Sequence, residues 1–386
     1  MLRILGIALV ASLALTVLAS GHWYVAQRLV FDAGVEGVLR SALVGVVVLG
    51  GALLVLQPVA ERLLRPPWSR WISWPASLWM GLAFYSVVLL GVSDLLLWIG
   101  GATASAADGS ADGKVGPLRA AVVAALALTT AGIALRGGLA SPALRRVELA
   151  LPRWPVERDG FRIAQLSDIH IGPILGRRFA REIVDRVNAL DADLVMLTGD
   201  LVDGSTSRLA DEVRPFADLR GRHGVYFVTG NHDHYSGARS WTDRVRELGI
   251  RVLRNEHVRI GEGSGAFVVA GVDDHHAHFV PGESGEDLEA ALDGVGADTP
   301  VLLLAHDPTT FKRAAGMSVD LQVSGHTHGG QIWPFTYLVR LAVPFLAGVY
   351  RRGGATLYVS RGTGFWGPPM RLGAPAEITE IVLRSG

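Results

Sequence analysis

The sequence predicts two parts of different class: an all-α module of about four transmembrane helices, then an α/β domain with largely buried strands. Three observations carry this reading. Long uncharged runs fill the N-terminal stretch 1–140. Short apolar runs alternate with amphipathic stretches after residue 145. Carboxylate, imidazole and amide side chains follow directly on several of those short runs. A chain of 386 residues has room for two or more domains. We expect the membrane module over 1–140, a linker and first edge strand over 141–160, and the α/β domain over 161–386.

Ile4 to Gln27, Ser41 to Ala60 and Trp71 to Ser93 are free of Asp, Glu, Lys and Arg throughout. Each can cross a hydrocarbon core of roughly 30 Å as a helix. A fourth run, Ala120 to Leu135, is shorter and is flanked by Arg119 and Arg136. Those two heads can snorkel to the interfaces. Trp68, Trp71, Trp74 and Trp98 fit an interfacial aromatic belt. The first run is too long for a signal peptide, and the runs behind it argue for an integral membrane module. Asp94 is read as marking the end of the third span, and "GGATASAADGSADGKVG" after it as an external loop.

Four spans put both ends of the module on one side. That side holds Arg3, Arg62, Arg65, Arg70, Arg136, Arg145 and Arg146, against Arg28, Arg40, Lys114 and Arg119 on the other. Seven against four places the α/β domain on the cytoplasmic face of the cell membrane.

Composition sets further limits. The net charge is zero, with 11 Lys/Arg against 7 Asp/Glu in residues 1–150 and 25 against 29 in residues 151–386. The absence of cysteine excludes disulfides, thiolate metal sites and a cysteine nucleophile. No basic stripe interleaved with aromatics points to nucleic acid. Eleven of the twelve histidines lie after residue 160, so imidazole chemistry belongs to the second part.

In that second part "FRIAQLS", "DLVMLTG", "GVYFVTG", "AFVVAGV", "PVLLLAH", "VDLQVSG" and "ATLYVSRG" read as buried strands. "RRFAREIVDRVNAL" and "SWTDRVRELG" between them read as amphipathic helices. "RRVELALP" is expected to pair into the sheet. In such folds ligands gather beyond the carboxyl ends of the strands. There the chain places Asp168 and His170, then Asp200 with Asp203, then Asn231, His232 and Asp233, then His306, then His326 and His328. Oxygen and imidazole donors without thiolate suit Mn2+, Fe or Zn2+. The donors exceed what one ion needs, so two divalent ions sharing a carboxylate are expected.

The order D-x-H, G-D-x-x-D, G-N-H-D, H, G-H-T-H over residues 161–330 resembles the calcineurin-like metallophosphoesterase superfamily. "GFRIAQLSDIHIG", "GVYFVTGNHD", "SGHTHGGQI" and "LYVSRGTGFWGPPMRLGAPAEIT" look like its YkuE/YaeI-type branch. With the membrane module ahead, the chain is similar to transmembrane proteins with a metallophosphoesterase domain. The resemblance implies a four-layer α/β/β/α sandwich. It implies one ion on Asp168, His170, Asp200 and His328, and a second on Asp200, Asn231, His306 and His326. It further implies attack by a hydroxide bridging the ions, with His232 as the catalytic histidine and Asp233 orienting its ring.

The expected activity is hydrolysis of a phosphodiester or a pyrophosphate-linked substrate, including a lipid at the membrane surface. Two rivals are a protein phosphatase and a non-catalytic membrane receptor or scaffold that binds a phosphorylated ligand. The oligomeric state is not legible. Asp203 is read either as supporting the site or as capping the helix after it. "DDHHAH", residues 273–278, is read as a solvated loop rather than a third ion site. Residues 332–350 read either as a buried loop with a short helix, or as an apolar flap that dips into the bilayer.

Overall fold

A computed structural model describes residues 2–104 and 112–386. The chain divides into two compact units, the long N-terminal helices and the α/β part that follows.

The first unit holds four helices: α1 (Leu2–Ala26), α2 (Gly37–Leu63), α3 (Arg70–Ala104) and α4 (Asp112–Leu139). Four stretches in this unit are long and apolar enough to cross a membrane: Leu9–Phe31, Gly37–Leu63, Arg70–Gly100 and Gly116–Leu139. Residues 105–111 of the expected external loop lie outside the described residues, and its two ends are helical. The expectation that the third span stops at Asp94 is corrected, because α3 runs on past it to Ala104. Partners explain the difference. Asp94 accepts a hydrogen bond from the Tyr24 hydroxyl at 2.6 Å and faces Arg28 at 3.1 Å. It also pairs with Arg119. A carboxylate so compensated can stay within an apolar helix.

The second unit is built on two six-stranded sheets. The first comprises β1 (Ala143–Leu151), β2 (Phe161–Leu166), β3 (Leu194–Thr198), β4 (Val225–Val228), β5 (Arg251–Val252) and β12 (Glu377–Ser385), in the order β1-β12-β2-β3-β4-β5. The second comprises β6 (Glu256–Ile260), β7 (Phe267–Gly271), β8 (Val301–Leu304), β9 (Leu321–Ser324), β10 (Gly348–Arg352) and β11 (Ala355–Val359), in the order β10-β11-β9-β8-β7-β6. Strands β2 to β5 run parallel, as do β7, β8, β9 and β11. All seven apolar runs are therefore strands. "RRVELALP" joins the sheet as β1, parallel to β12.

Side chains from both sheets meet in one buried layer that includes Ile163, Met196, Val228, Phe267, Leu302, Val323, Tyr358 and Ile381. On the outer face of the first sheet, α5 (Arg177–Asn188) and α8 (Ala238–Glu247) bury Ile183, Val184, Trp241 and Val245, with the short helices α6 (Thr206–Leu209) and α7 (Asn231–Tyr235) between them in the chain. On the outer face of the second, α9 (Leu288–Leu292) and α10 (Phe311–Ala314) lie against Val268, Leu303 and Val319. The layers are helix, sheet, sheet, helix. Burial of the inner strands on both faces is what makes them read as unbroken apolar runs.

Candidate metal centre

The carboxyl ends of β2, β3 and β4 in one sheet and β8 and β9 in the other open onto a common rim. The chain leaves each strand through a tight turn. Asp168, Asp200, His170, His326 and His328 all have positive φ, between 50° and 71°. Such backbone is uncommon for residues other than glycine and gathers at functional sites. Gly325 shows how close the turns come. A Cβ there would lie 1.9 Å from the Ser167 Oγ and 2.1 Å from the Asp168 Oδ2. At Gly230 it would lie 2.2 Å from the Asp200 Oδ1. Side-chain bulk at either position would displace a candidate ligand.

Donor atoms converge in two neighbouring groups, Asp168 with His170 and His328, and Asp200 with His306 and His326. The Nε2 atoms of His170 and His328 are 3.0 Å apart. His326 Nδ1 lies 3.0 Å from the Asn231 Oδ1 and 3.3 Å from the His306 Nε2. Asp200 Oδ2 lies 3.2 Å from His306 Nε2 and 3.8 Å from His170 Nε2, so one carboxylate reaches both groups. Separations of about 3.0–3.4 Å are the edges expected around an octahedral or tetrahedral ion with bonds of about 2.1 Å.

The far ring atoms agree with this orientation. His306 Nδ1 donates to the Thr198 carbonyl at 2.7 Å, and His170 Nδ1 to the Asp203 Oδ1 at 3.0 Å. Each leaves an Nε2 lone pair turned inward, the usual arrangement of a metal-binding histidine. The donor set, with the orientation of these two rings, fits two divalent cations.

Asp203 does not cap a helix. The same Oδ1 that holds His170 also accepts from His232 Nδ1 at 2.7 Å. The expectation that Asp233 orients His232 is thereby corrected. Asp233 turns inward and accepts from the backbone N–H groups of Gly230 at 2.8 Å, Leu201 at 3.0 Å and Val202 at 3.3 Å. It pins the turn after β4 to the turn after β3. Burial and the Asp200 charge push the Asp233 carboxyl up to about 7. Burial opposes charge on His232, but the Asp203 hydrogen bond and the field of Asp200 outweigh it and raise the imidazole to about 9. Unlike the buried His170, His306 and His328, this ring is partly exposed, with Tyr235 and Trp366 each 5.7 Å away.

Several residues escaped the sequence reading. Arg371 is 3% exposed and donates to the carbonyls of Gly364, Arg361 and Ala374, each at 2.9 Å. Its guanidinium lies 3.3 Å from His328 Nδ1 and locks the C-terminal segment around that candidate ligand. Burial lowers it to about 10. Burial and the nearby His170 and Arg371 also depress His328, which keeps its ring neutral. Arg371→Ala would strand several buried carbonyls, at about 1–3 kcal/mol for each unsatisfied group. A loss of about 3–5 kcal/mol is expected in denaturant unfolding of the variant. Asp274 and Asp307 are likewise buried beside the centre. The segment 273–278 is therefore not the solvated loop expected, since Asp273, Asp274 and Ala277 are all buried.

Beyond Gln331, the segment forms α11 (Phe335–Ala342) and then β10. Tyr337, Leu338 and Leu341 on this helix are exposed, Leu341 to 86%, as is Trp333 before it. Phe345 differs from them, packed between Phe311 and Tyr350. A cavity of about 410 Å³ opens beside α11, lined by Thr336, Arg340, Tyr350, Arg361 and Gly329, the neighbour of His328.

Residues 161–330 match the calcineurin-like phosphoesterase family. A Bos taurus transmembrane protein with metallophosphoesterase domain is 39% identical over 303 residues, covering 76% of this chain and 68% of that protein. Its Danio rerio counterpart is 40% identical over 252 residues, covering 63% of this chain and 57% of that protein. The uncharacterized metallophosphoesterase YkuE of Bacillus subtilis is 31% identical, covering 59% of this chain and 80% of that protein. Among solved structures, a dimetal phosphatase from Danio rerio aligns at 14% identity with a TM-score of 0.35, covering 54% of this chain and 88% of that one. By its sequence the chain belongs to the calcineurin-like metallophosphoesterases, hydrolases of phosphoesters, and is homologous there to transmembrane proteins and to YkuE-type bacterial proteins.

Proposed function

We propose that the chain is a membrane-anchored phosphodiesterase with a two-ion centre, acting on a phosphodiester or pyrophosphate-linked lipid at the cytoplasmic face. The observation that carries this reading is the convergence of two donor groups on Asp200. Asp168, His170, Asp200 and His328 would hold one divalent ion, and Asp200, Asn231, His306 and His326 the other, with Mn2+ favoured over Fe or Zn2+. The ions, when bound, activate water and neutralise charge on the phosphoryl oxygens.

The chain's own residues supply the rest. Asp203 accepts the Nδ1 proton of His232 and so presents its Nε2 to the rim. From there the protonated ring gives its Nε2 proton to the departing alkoxide. Asp233 keeps the turns after β3 and β4 in register, and so fixes Asp200 relative to Asn231 and His232. The domain division follows the sequence reading, with residues 1–140 as anchor, 141–160 as connection and 161–386 as catalytic domain.

Two features favour a lipid. The exposed apolar residues of α11, with Trp333 and Tyr337 among them, have the character of an interfacial helix. The cavity beside it carries Arg340 and Arg361, which suit a second phosphate or an anionic headgroup. The cytoplasmic side rests on the basic residues counted above. Arg28 and Arg119, two of the four on the opposite side, pair with Asp94.

The test compares substrates on the full-length protein reconstituted in vesicles. Replacing Trp333, Leu338 and Leu341 together by Ser should slow cleavage of a bilayer-embedded phosphodiester by about tenfold or more, the scale set by losing buried apolar area. Cleavage of a small soluble diester should stay within about twofold, surface changes being nearly neutral to the fold. Equal losses on both substrates would remove the case for a lipid.

A further inference from the structure

Strand β7 delivers a second set of donors to the rim, beyond those assigned above. It ends at Gly271 and leads into Asp273, Asp274 and His276. Asp273 is taken up by Arg254, whose guanidinium donates to it at 2.7 and 2.8 Å. Asp274 has no such partner. It is fully buried, and its Oδ1 accepts the His276 N–H at 2.9 Å. Its Oδ2 is shielded from solvent and has no hydrogen-bond partner among the described residues. A second buried carboxylate is Asp307, 4% exposed, whose Oδ1 accepts the Thr309 N–H at 2.7 Å. Neither carboxylate pairs with an Arg or Lys among the described residues. Among those residues, the nitrogen in ion-pair range of both is His276 Nδ1, 3.5 Å from Asp307 Oδ2 and 3.8 Å from Asp274 Oδ1. The His276 ring stacks on that of His326 with centroids 5.8 Å apart. Donor atoms of His276, Asp307 and His326 all lie within 4.8 Å of one another.

Buried carboxylates are costly unless paired or coordinated to a metal. Two of them beside an imidazole, with neither paired to Arg or Lys, make a donor set for a divalent cation. Four ligands at about 2.1 Å from a tetrahedral ion stand about 3.4 Å apart. His276 Nδ1 stands within a few tenths of an ångström of that spacing from each carboxylate, at 3.5 and 3.8 Å. We propose that His276, Asp307 and Asp274 form a third divalent-cation site on the rim, bordering His326. It rests on the two-ion reading only in taking His326 as the common boundary. His276 is partly exposed, so one side of the third ion would face solvent and could accept a phosphoryl oxygen of the substrate.

The test is a metal count on full-length protein in detergent, stripped by chelation, reloaded with Mn2+ and, separately, with Zn2+, then freed of loose ions by gel filtration. Wild type should retain one more ion per chain than His276→Ala, three against two. His276 is exposed enough that its loss leaves the fold intact, which a melting curve checks. Asp307→Asn, which keeps the side-chain volume, should lose the same single ion. The difference between wild type and variant tests the third site, while the absolute number tests the pair, so the two ideas fail separately. Equal counts in wild type and His276→Ala for both metals would overturn the proposal. A loss of more than one ion would also overturn it, since His276 would then be supporting the pair.

Discussion

Asp200→Asn should abolish hydrolysis while leaving the domain folded. Asp200 is 2% exposed and is the carboxylate whose oxygens reach both donor groups, 3.2 Å from His306 Nε2 and 3.8 Å from His170 Nε2. Its Oδ1 also accepts the backbone N–H of His232 at 2.8 Å, so it sets the turn that carries the proposed acid. Asparagine keeps the shape but replaces one oxygen by an amide NH2, which turns hydrogens toward atoms that need lone pairs. A metal stabilises charge in the transition state by several kcal/mol. A change of about 1.4 kcal/mol in the barrier is tenfold in rate. The expected loss of turnover is therefore about a thousandfold or more. Metal content should fall with it, and the thermal melt of the domain should remain cooperative. A variant that keeps wild-type turnover and wild-type metal content would refute the shared role of Asp200.

His232→Ala has the second largest expected effect. The ring donates Nδ1–H to Asp203 at 2.7 Å and presents its other nitrogen to the rim. Its removal should lower turnover by roughly a hundred- to ten-thousand-fold, the range for a lost acid–base group. The metal content should stay at the wild-type value, because the two donor groups around Asp168 and Asp200 remain. The loss should shrink for a substrate whose leaving group is p-nitrophenolate, which departs without needing a proton. Equal losses for good and poor leaving groups would mean that His232 acts on the phosphoryl oxygens, not on the leaving oxygen. Loss of an ion would make it a ligand, as its proximity to His170 and Asp200 allows.

What could be read from the sequence, and what could not, follows from how local each feature is. Seven inner strands are legible because burial on both faces makes them continuous apolar runs, from Phe161–Leu166 through Ala355–Val359; the inner strand Glu377–Ser385, with Glu and Thr set between its apolar residues, is not. The edge strands Glu256–Ile260 and Gly348–Arg352 were not, being partly exposed and mixed in polarity. The candidate ligands were legible because each follows a strand within a few residues and the spacing repeats at five strand ends. Their supporting partners were not. Asp233 adjoins His232 in the chain while Asp203 lies 29 residues before it, and only the turn geometry decides that Asp203 reaches the ring. Asp94 looked like the end of a span because hydropathy cannot register partners 25 and 70 residues away. Arg371 lies 43 residues from His328 in the chain, so nothing local marks it as that candidate ligand's neighbour. Phe345 shares the apolar character of Trp333 and Leu341, yet packs inside while they are exposed.

The central claim is that this chain turns over a phosphodiester through a metal centre built at the strand ends. It is tested most directly by following bis(p-nitrophenyl) phosphate hydrolysis by the full-length protein in detergent, before chelation, after chelation, and after Mn2+ is restored. Turnover that disappears with the metal, returns with Mn2+, and is absent from Asp200→Asn at every stage is the predicted result. A folded protein that regains its full complement of metal and still hydrolyses no phosphodiester would contradict it, and would leave a binder of phosphorylated ligands in its place.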